Sequence, residues 1–132
     1  MAPAGRTEVP PSHAPILASR ALAHVATIGP RGEPQSHPVW FGWDGQRLAF
    51  STTKARQKYR NLRRDPRISA TITDPERPER YLELRGVAQI SDDPDRAYIN
   101  EMSLRYRGQQ FPPSPGEERV VVSFVPTHVT GQ

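Results

Sequence analysis

Residues 35–66 read QSHPVWFGWDGQRLAFSTTKARQKYRNLRRDP, and their periodicity changes partway along. From Gln35 to Trp43 the period is two. His37, Val39, Phe41 and Trp43 fall on one face, and Ser36, Pro38, Trp40 and Gly42 on the other, which is the alternation of a strand. Asp44-Gly45 is a strong hairpin signal, because both residues tolerate the backbone of a tight turn. Arg47 to Ser51 then returns as the next strand. Beyond Ser51-Thr52-Thr53 the pattern becomes helical. From Ala55 to Arg64 a narrow apolar stripe of Tyr59 and Leu62 is surrounded by arginines. Asp65-Pro66 ends it, since proline drives the residue before it out of the helical region. The three hydroxyl residues are expected to cap this helix.

Working outward, Leu22 to Ile28 is β-compatible and the turn Gly29-Pro30-Arg31-Gly32 joins it to Gln35, so the first three strands read as a meander. Arg67 to Thr73 is a strand with Ile68, Ala70 and Ile72 on one face. Asp74 to Arg80 is a polar loop. Tyr81 to Ile90 is a longer strand, with a bulge expected at Gly86. Ser91-Asp92-Asp93-Pro94 reads as a helix start, and Asp95 to Arg107 as a helix with Ile99, Met102 and Tyr106 inward. Gln109 to Glu118 is a Pro-rich loop, and Arg119 to Val125 the last strand. Toward the N-terminus, Pro11 to Ser19 predicts a short helix capped by Ser12, with Ile16 and Leu17 facing the core. The expectation is a disordered tail over residues 1–12 and one domain over 13–132. That domain is mainly β, six strands in a mostly antiparallel closed sheet with helices at its ends.

A chain of 132 residues is long enough for one sizeable core. Cysteine is absent, which excludes disulfides, thiolate metal sites and a cysteine nucleophile. No apolar stretch approaches the ~20 residues of a membrane helix, and the first residues lack the apolar segment of a secretory signal. A cytoplasmic protein is the expectation. The formal charge is +4, but it is not spread evenly. Residues 54–67 hold seven cations (Lys54, Arg56, Lys58, Arg60, Arg63, Arg64 and Arg67) and one anion, Asp65; this segment carries +6 and the remainder −2. A focused basic site suits a discrete anionic ligand better than a long polyanion, so nucleic acid is not expected as a partner.

The same segment is the strongest candidate for chemistry. The first N–H groups of a helix have no partner within the helix and favour anions. Hydroxyls at Ser51, Thr52 and Thr53 add donors, and Arg56 and Lys58 add full charges. This reads as a phosphate cradle. A solvated basic helix is the alternative, about even on periodicity and charge alone. The gathering of both lysines and three hydroxyls at its N-terminal end favours the cradle. Trp40 and Phe41 face opposite ways, so one is core and the other is free to line a groove or an interface; plain packing is the commoner role of such a pair. His13, His24, His37 and His128 are not at metal-ligand spacing, and no metal site is expected. No nucleophile elbow, dinucleotide fingerprint or P-loop is present. No catalytic residue is identified, so an enzyme of this kind needs a cofactor that carries the chemistry.

These residues resemble the split β-barrel flavin and deazaflavin reductases of the pyridoxamine 5'-phosphate oxidase-like superfamily. Within it they are most similar to the branch that uses the deazaflavin coenzyme F420. The resemblance rests on Ala26-Thr27-Ile28, then Gly32-x-Pro34-Gln35, Pro38-Val39-Trp40-Phe41 and Asp44-Gly45. It rests above all on Ser51-Thr52-Thr53 leading into Arg56-Gln57-Lys58-Tyr59-Arg60-Asn61-Leu62-Arg63-Arg64-Asp65-Pro66. Tyr81 to Gly86 and Val120 to Val129 extend it to about residues 14–130. The resemblance implies a six-stranded split β-barrel of the FMN-binding type and a homodimer with cofactor sites at the subunit interface. By matching position it implies that Arg56 and Lys58 hold the cofactor phosphate and that Ser51 and Thr52 support it. Gln35, Pro38, Val39 and Trp40 would lie along the ring system, and Tyr81 would approach from a second subunit. The implied chemistry is hydride transfer between reduced deazaflavin and a conjugated organic small molecule. FMN in place of F420, or a non-catalytic carrier of cofactor or haem, are the alternatives. The C-terminal substrate-phosphate motif of true pyridoxamine phosphate oxidases is not seen here, which counts against vitamin B6 oxidation.

Overall fold

The structure is a computed structural model that describes residues 7–132. Part of the expected tail, residues 1–6, lies outside the described residues. Val9 already packs against the core. A single turn of 3-10 helix at Pro11–His13 leads into α1 (Ala14–Ala18), whose Ile16 and Leu17 are buried as their spacing predicted. Ser12 does not cap it; its hydroxyl lies 2.9 Å from His13 Nδ1.

The described residues form nine strands: β1 (Ala23–Ile28), β2 (Pro34–Val39), β3 (Gly42–Trp43), β4 (Leu48–Thr53), β5 (Arg67–Thr73), β6 (Tyr81–Val87), β7 (Gln89–Asp92), β8 (Arg119–Phe124) and β9 (His128–Gly131). They make two antiparallel sheets, of order β2-β1-β5-β6-β9 and β3-β4-β8-β7. The six strands in one closed sheet are therefore corrected to nine in two sheets. Two of the expected strands each divide as the chain passes from the first sheet to the second. Gln35–Trp43 divides at Trp40-Phe41, where the Phe41 N–H donates to the Tyr106 hydroxyl at 3.2 Å instead of to a strand. Tyr81–Ile90 divides at Ala88, whose N–H donates to the Pro66 carbonyl at 2.8 Å. The ninth strand, β9, pairs with β6 and buries Val129.

Gly86 carries no bulge. It stays in register opposite Ile68, and its lack of a side chain lets the other sheet come close. A Cβ there would stand 2.7 Å from the Phe124 ring and 2.8 Å from the Val125 carbonyl. Phe41, Phe50 and Phe124 join Leu48, Ile72, Leu82, Leu84 and the strand valines in the core between the sheets.

The remaining helices are α2 (Gln57–Arg64) and α3 (Ala97–Arg107). Helix α2 ends just before Asp65-Pro66, as expected, but it begins later than expected. Ser51, Thr52 and Thr53 belong to β4, and no side chain caps the helix. Helix α3 does not start after Ser91 either, because Ser91 and Asp92 finish β7. The buried Asp93 carboxylate instead accepts the N–H groups of Ala97 and Tyr98, both at 3.0 Å, across the intervening loop. Ile99 and Met102 are buried under α3, and Tyr98 donates to the Ala49 carbonyl at 3.3 Å. Among the described residues no helix is long and apolar enough to cross a membrane.

Candidate functional site

A cavity of about 450 Å³ opens between the end of β2, the end of β4, the start of α2, helix α3 and the loop before β8. Pro38, Val39, Trp40, Ser51, Thr52, Arg56 and Lys58 all line it. Seven residues singled out from the sequence thus meet at one place. Ile99 and Met102 form its apolar floor, and Phe111 and Arg119 complete the wall.

The strand break at Trp40-Phe41 decides the aromatic question. Phe41 is fully buried in the core. Trp40 lines the cavity, stacked on Tyr106 with ring centroids 5.4 Å apart and planes 12° apart, and edge-to-face with Phe111 at 6.1 Å. This gives the cavity a rigid aromatic wall of the kind that takes a planar ligand.

The charged wall is more selective than the sequence suggested. Five of the seven cations of residues 54–67 are engaged in the fold. Lys54 pairs with Asp92 at 3.3 Å and Glu118 at 3.8 Å. Arg60 donates to the Ala55 carbonyl, Arg64 to the Ile28 carbonyl, and Arg63 lies over the Tyr59 ring. Arg67 holds Asp65 at 2.6 Å and draws its carboxyl down to about 2. Arg56 and Lys58 are different: among the described residues neither has an ion-pair partner. Burial, and then the neighbouring Arg56 charge, push the Lys58 ammonium below its ordinary value. Both side chains stand at a helix start that no side chain caps, and no carboxylate lines the cavity. Two unpaired cations beside open N–H groups fit an anion such as a phosphate.

Gln35 and Tyr81 do not line the cavity. Gln35 lies under α2, where its Oε1 accepts from Asn61 Nδ2 at 2.8 Å. Asn61 is fully buried, donates also to Thr27 at 2.9 Å and accepts from Gln57 at 2.8 Å. This network pins α2, and with it Arg56 and Lys58, onto β1 and β2. Tyr81 starts β6 and exchanges two backbone hydrogen bonds of 3.1 Å with Gln132.

Sequence reasoning missed Phe111 and Arg119. Phe111 sits in an irregular Pro-rich loop, and Arg119 has no charged neighbour in sequence except Glu117 and Glu118. The Arg119 guanidinium lies 4.8 Å over the Phe111 ring. Its Nη1 donates to the Ser51 hydroxyl at 3.4 Å.

A family model for pyridoxamine 5'-phosphate oxidase matches residues 9–132. The chain belongs to this family. Among solved structures it is similar to an F420 reductase, at 36% identity over 92% of this chain and 98% of that one, with a TM-score of 0.85. It is also similar to a conserved hypothetical protein from Mycobacterium tuberculosis, at 29% identity over 96% and 87% of the two chains, with a TM-score of 0.72. A pyridoxamine 5'-phosphate oxidase-type protein from Listeria innocua shares the fold at 22% identity, covering 91% and 94%, with a TM-score of 0.71. The likeness to the F420 reductase spans nearly the whole of both chains.

Proposed function

We propose that this chain is an F420-dependent oxidoreductase that passes a hydride between reduced deazaflavin and a conjugated organic substrate. The observation that carries the reading is the pairing, in one cavity, of an aromatic wall at Trp40 with two unpaired cations, Arg56 and Lys58. When bound, the deazaflavin supplies the hydride. The protein's own task is to bind and orient. Arg56 and Lys58 hold the phosphate, and Ser51 and Thr52 donate to it. Pro38, Val39 and Trp40 give the ring system a flat surface, and fixing the two reactants in register lowers the barrier without a protein nucleophile. Phe111 and the loop around it exclude water from the aromatic end. Gln35 acts from behind, by holding Asn61 and so the helix. In the assembled protein two copies form a homodimer with the sites at their interface, and Tyr81 reaches the site of the other copy.

FMN is a second candidate, since the same cradle accepts its phosphate. Carriage without catalysis is favoured by one feature: neither histidine nor carboxylate lines the cavity to move a proton.

Titration with F420 and with FMN, followed by the fluorescence of Trp40, separates the two cofactors, and redox cycling of the bound cofactor separates catalysis from carriage. Tight F420 and weak FMN binding is expected. Replacing Arg56 and Lys58 together, Arg56→Ala/Lys58→Ala, should weaken F420 binding at least about tenfold, as loss of charge-assisted hydrogen bonds does. The melting temperature should stay unchanged. Undiminished F420 binding by this variant would overturn the phosphate assignment, and preference for FMN would move the protein to the flavin branch.

A further inference from the structure

Arg119 opens β8 opposite Thr53, and its side chain is only 11% exposed. A guanidinium carries five N–H donors. Here Nη1 reaches the Ser51 hydroxyl at a long 3.4 Å. Nε lies 3.4 Å from Glu117 Oε2, yet makes no aligned hydrogen bond and is left buried without an acceptor. The Glu117 carboxylate is engaged more closely elsewhere, 2.8 Å from Arg96 Nε. Two guanidiniums therefore share the Glu117 carboxylate, and on its far side Arg119 also lines a second cavity with Asp92, Asp93 and Glu118. A buried cation with unused donors costs free energy until an acceptor arrives. On the side of the aromatic cavity Arg119 meets the Ser51 hydroxyl and no carboxylate, so that is the side where a ligand oxygen reaches its guanidinium.

The position of Arg119 says which part of a ligand it meets. Its guanidinium is stacked on Phe111, and Phe111 stands edge-on to Trp40. Arg119 thus belongs to the aromatic wall, at the edge where its Nη1 meets Ser51. Arg56 and Lys58 belong to the strand-to-helix wall. Its partners hold it from two sides: Arg96 fastens Glu117 and also donates to the Phe111 and Pro112 carbonyls at 3.0 and 3.1 Å. We propose that Arg119 is a second anion-holding point of the cavity, which binds an electron-rich or ionised oxygen on the ring system of the ligand. Arg56 and Lys58 hold the phosphate at the other wall. The ligand class is a planar heteroaromatic with an acidic or carbonyl oxygen on the ring and a phosphate on its side chain. This rests on the reading of the cavity as a deazaflavin site.

The test is binding, read from Trp40 fluorescence, with two probes: F420 and the deazaflavin riboside that lacks the phosphate. Arg119→Gln should weaken both by a similar factor of about ten or more, the worth of a charge-assisted hydrogen bond. Arg56→Ala/Lys58→Ala should weaken F420 alone. Arg119→Lys, which keeps the charge but loses the fork, should fall between Arg119→Gln and wild type. Arg119→Gln leaves Glu117 paired with Arg96 at 2.8 Å, so neither charge is stranded. Its melting temperature should stay near that of wild type, which separates lost binding from lost folding. If Arg119→Gln binds the phosphate-free probe as wild type does, the assignment of Arg119 is wrong. It is also wrong if only F420 binding suffers, because Arg119 is then one more phosphate ligand. If wild type binds neither probe, the deazaflavin reading fails and takes this inference with it.

Discussion

The two positive walls of the cavity are built in opposite ways. Arg56 and Lys58 lie two residues apart in one short stretch, are unpaired, and are held in place indirectly by Asn61 beneath the helix. At the other wall Arg96 comes from the start of α3 to meet Glu117 and Arg119, which lie two residues apart before β8; the three bury one another and the two guanidiniums share one carboxylate at 2.8 and 3.4 Å. The first wall spends nothing on mutual attraction, and Lys58 is pushed down by burial and by Arg56. The second wall is a buried charge network, in which each partner is needed to keep the others tolerable. Charge left uncompensated marks the place where a ligand binds. Charge that is partly compensated also holds the fold.

The contrast is broken most readily at Arg96. Its backbone is left-handed, with φ of 60° and ψ of 25°, and its side chain fastens both Glu117 and the loop that carries Phe111. Arg96→Ala should cost about 3 kcal/mol in urea unfolding, in the range for removing one member of a buried pair. Arg96→Gly should recover about 1 kcal/mol of that loss, because glycine accepts a positive φ. A loss below about 1 kcal/mol for the alanine variant would show that this wall is not structural.

Asn61 tests the support of the other wall. Asn61→Ala leaves Thr27, Gln35 and Gln57 without their shared partner, at a cost of about 2 kcal/mol. F420 binding should weaken with it, since the helix start is no longer pinned. Unchanged affinity in a folded variant would detach the network from the site.

The smallest effect is the most diagnostic of charge. In the folded protein the charged form of Lys58 is disfavoured relative to the unfolded chain, whose ordinary value is 10.5. Its penalty is full below the lowered folded value and fades as pH rises through it. Binding of a phosphate runs the other way, because the ligand needs the charge. F420 affinity should therefore hold near neutrality and fall by a few-fold as pH rises toward 10.5. Lys58→Arg should remove that fall, since arginine stays charged. A wild-type affinity that is flat over this range would remove Lys58 from the site.

Much of the first wall was legible in sequence. The alternation from Gln35, the Asp44-Gly45 turn and the Asp65-Pro66 stop are all local signals, and each reappears in the fold. Where local signals failed, a distant contact had intervened. The Asp93 cap is reached across a loop, the strand breaks sit where the chain changes sheet, and Thr52 and Thr53 are committed to pairing with β8 instead of capping α2. Nothing in sequence marked Arg119 or Phe111, because the one lies at a strand start and the other in a loop without periodicity.

By itself the sequence determined the mainly β class, the basic helix and the crowding of cations into residues 54–67. Those are consequences of backbone preference and of charge density within a few residues. Only the tertiary structure decided which of those cations stay unpaired, which of Trp40 and Phe41 enters the core, and that a second charged wall faces the first. Pairing and burial depend on which remote side chains arrive at the same point, and that is set by how the two sheets pack, not by neighbours along the chain.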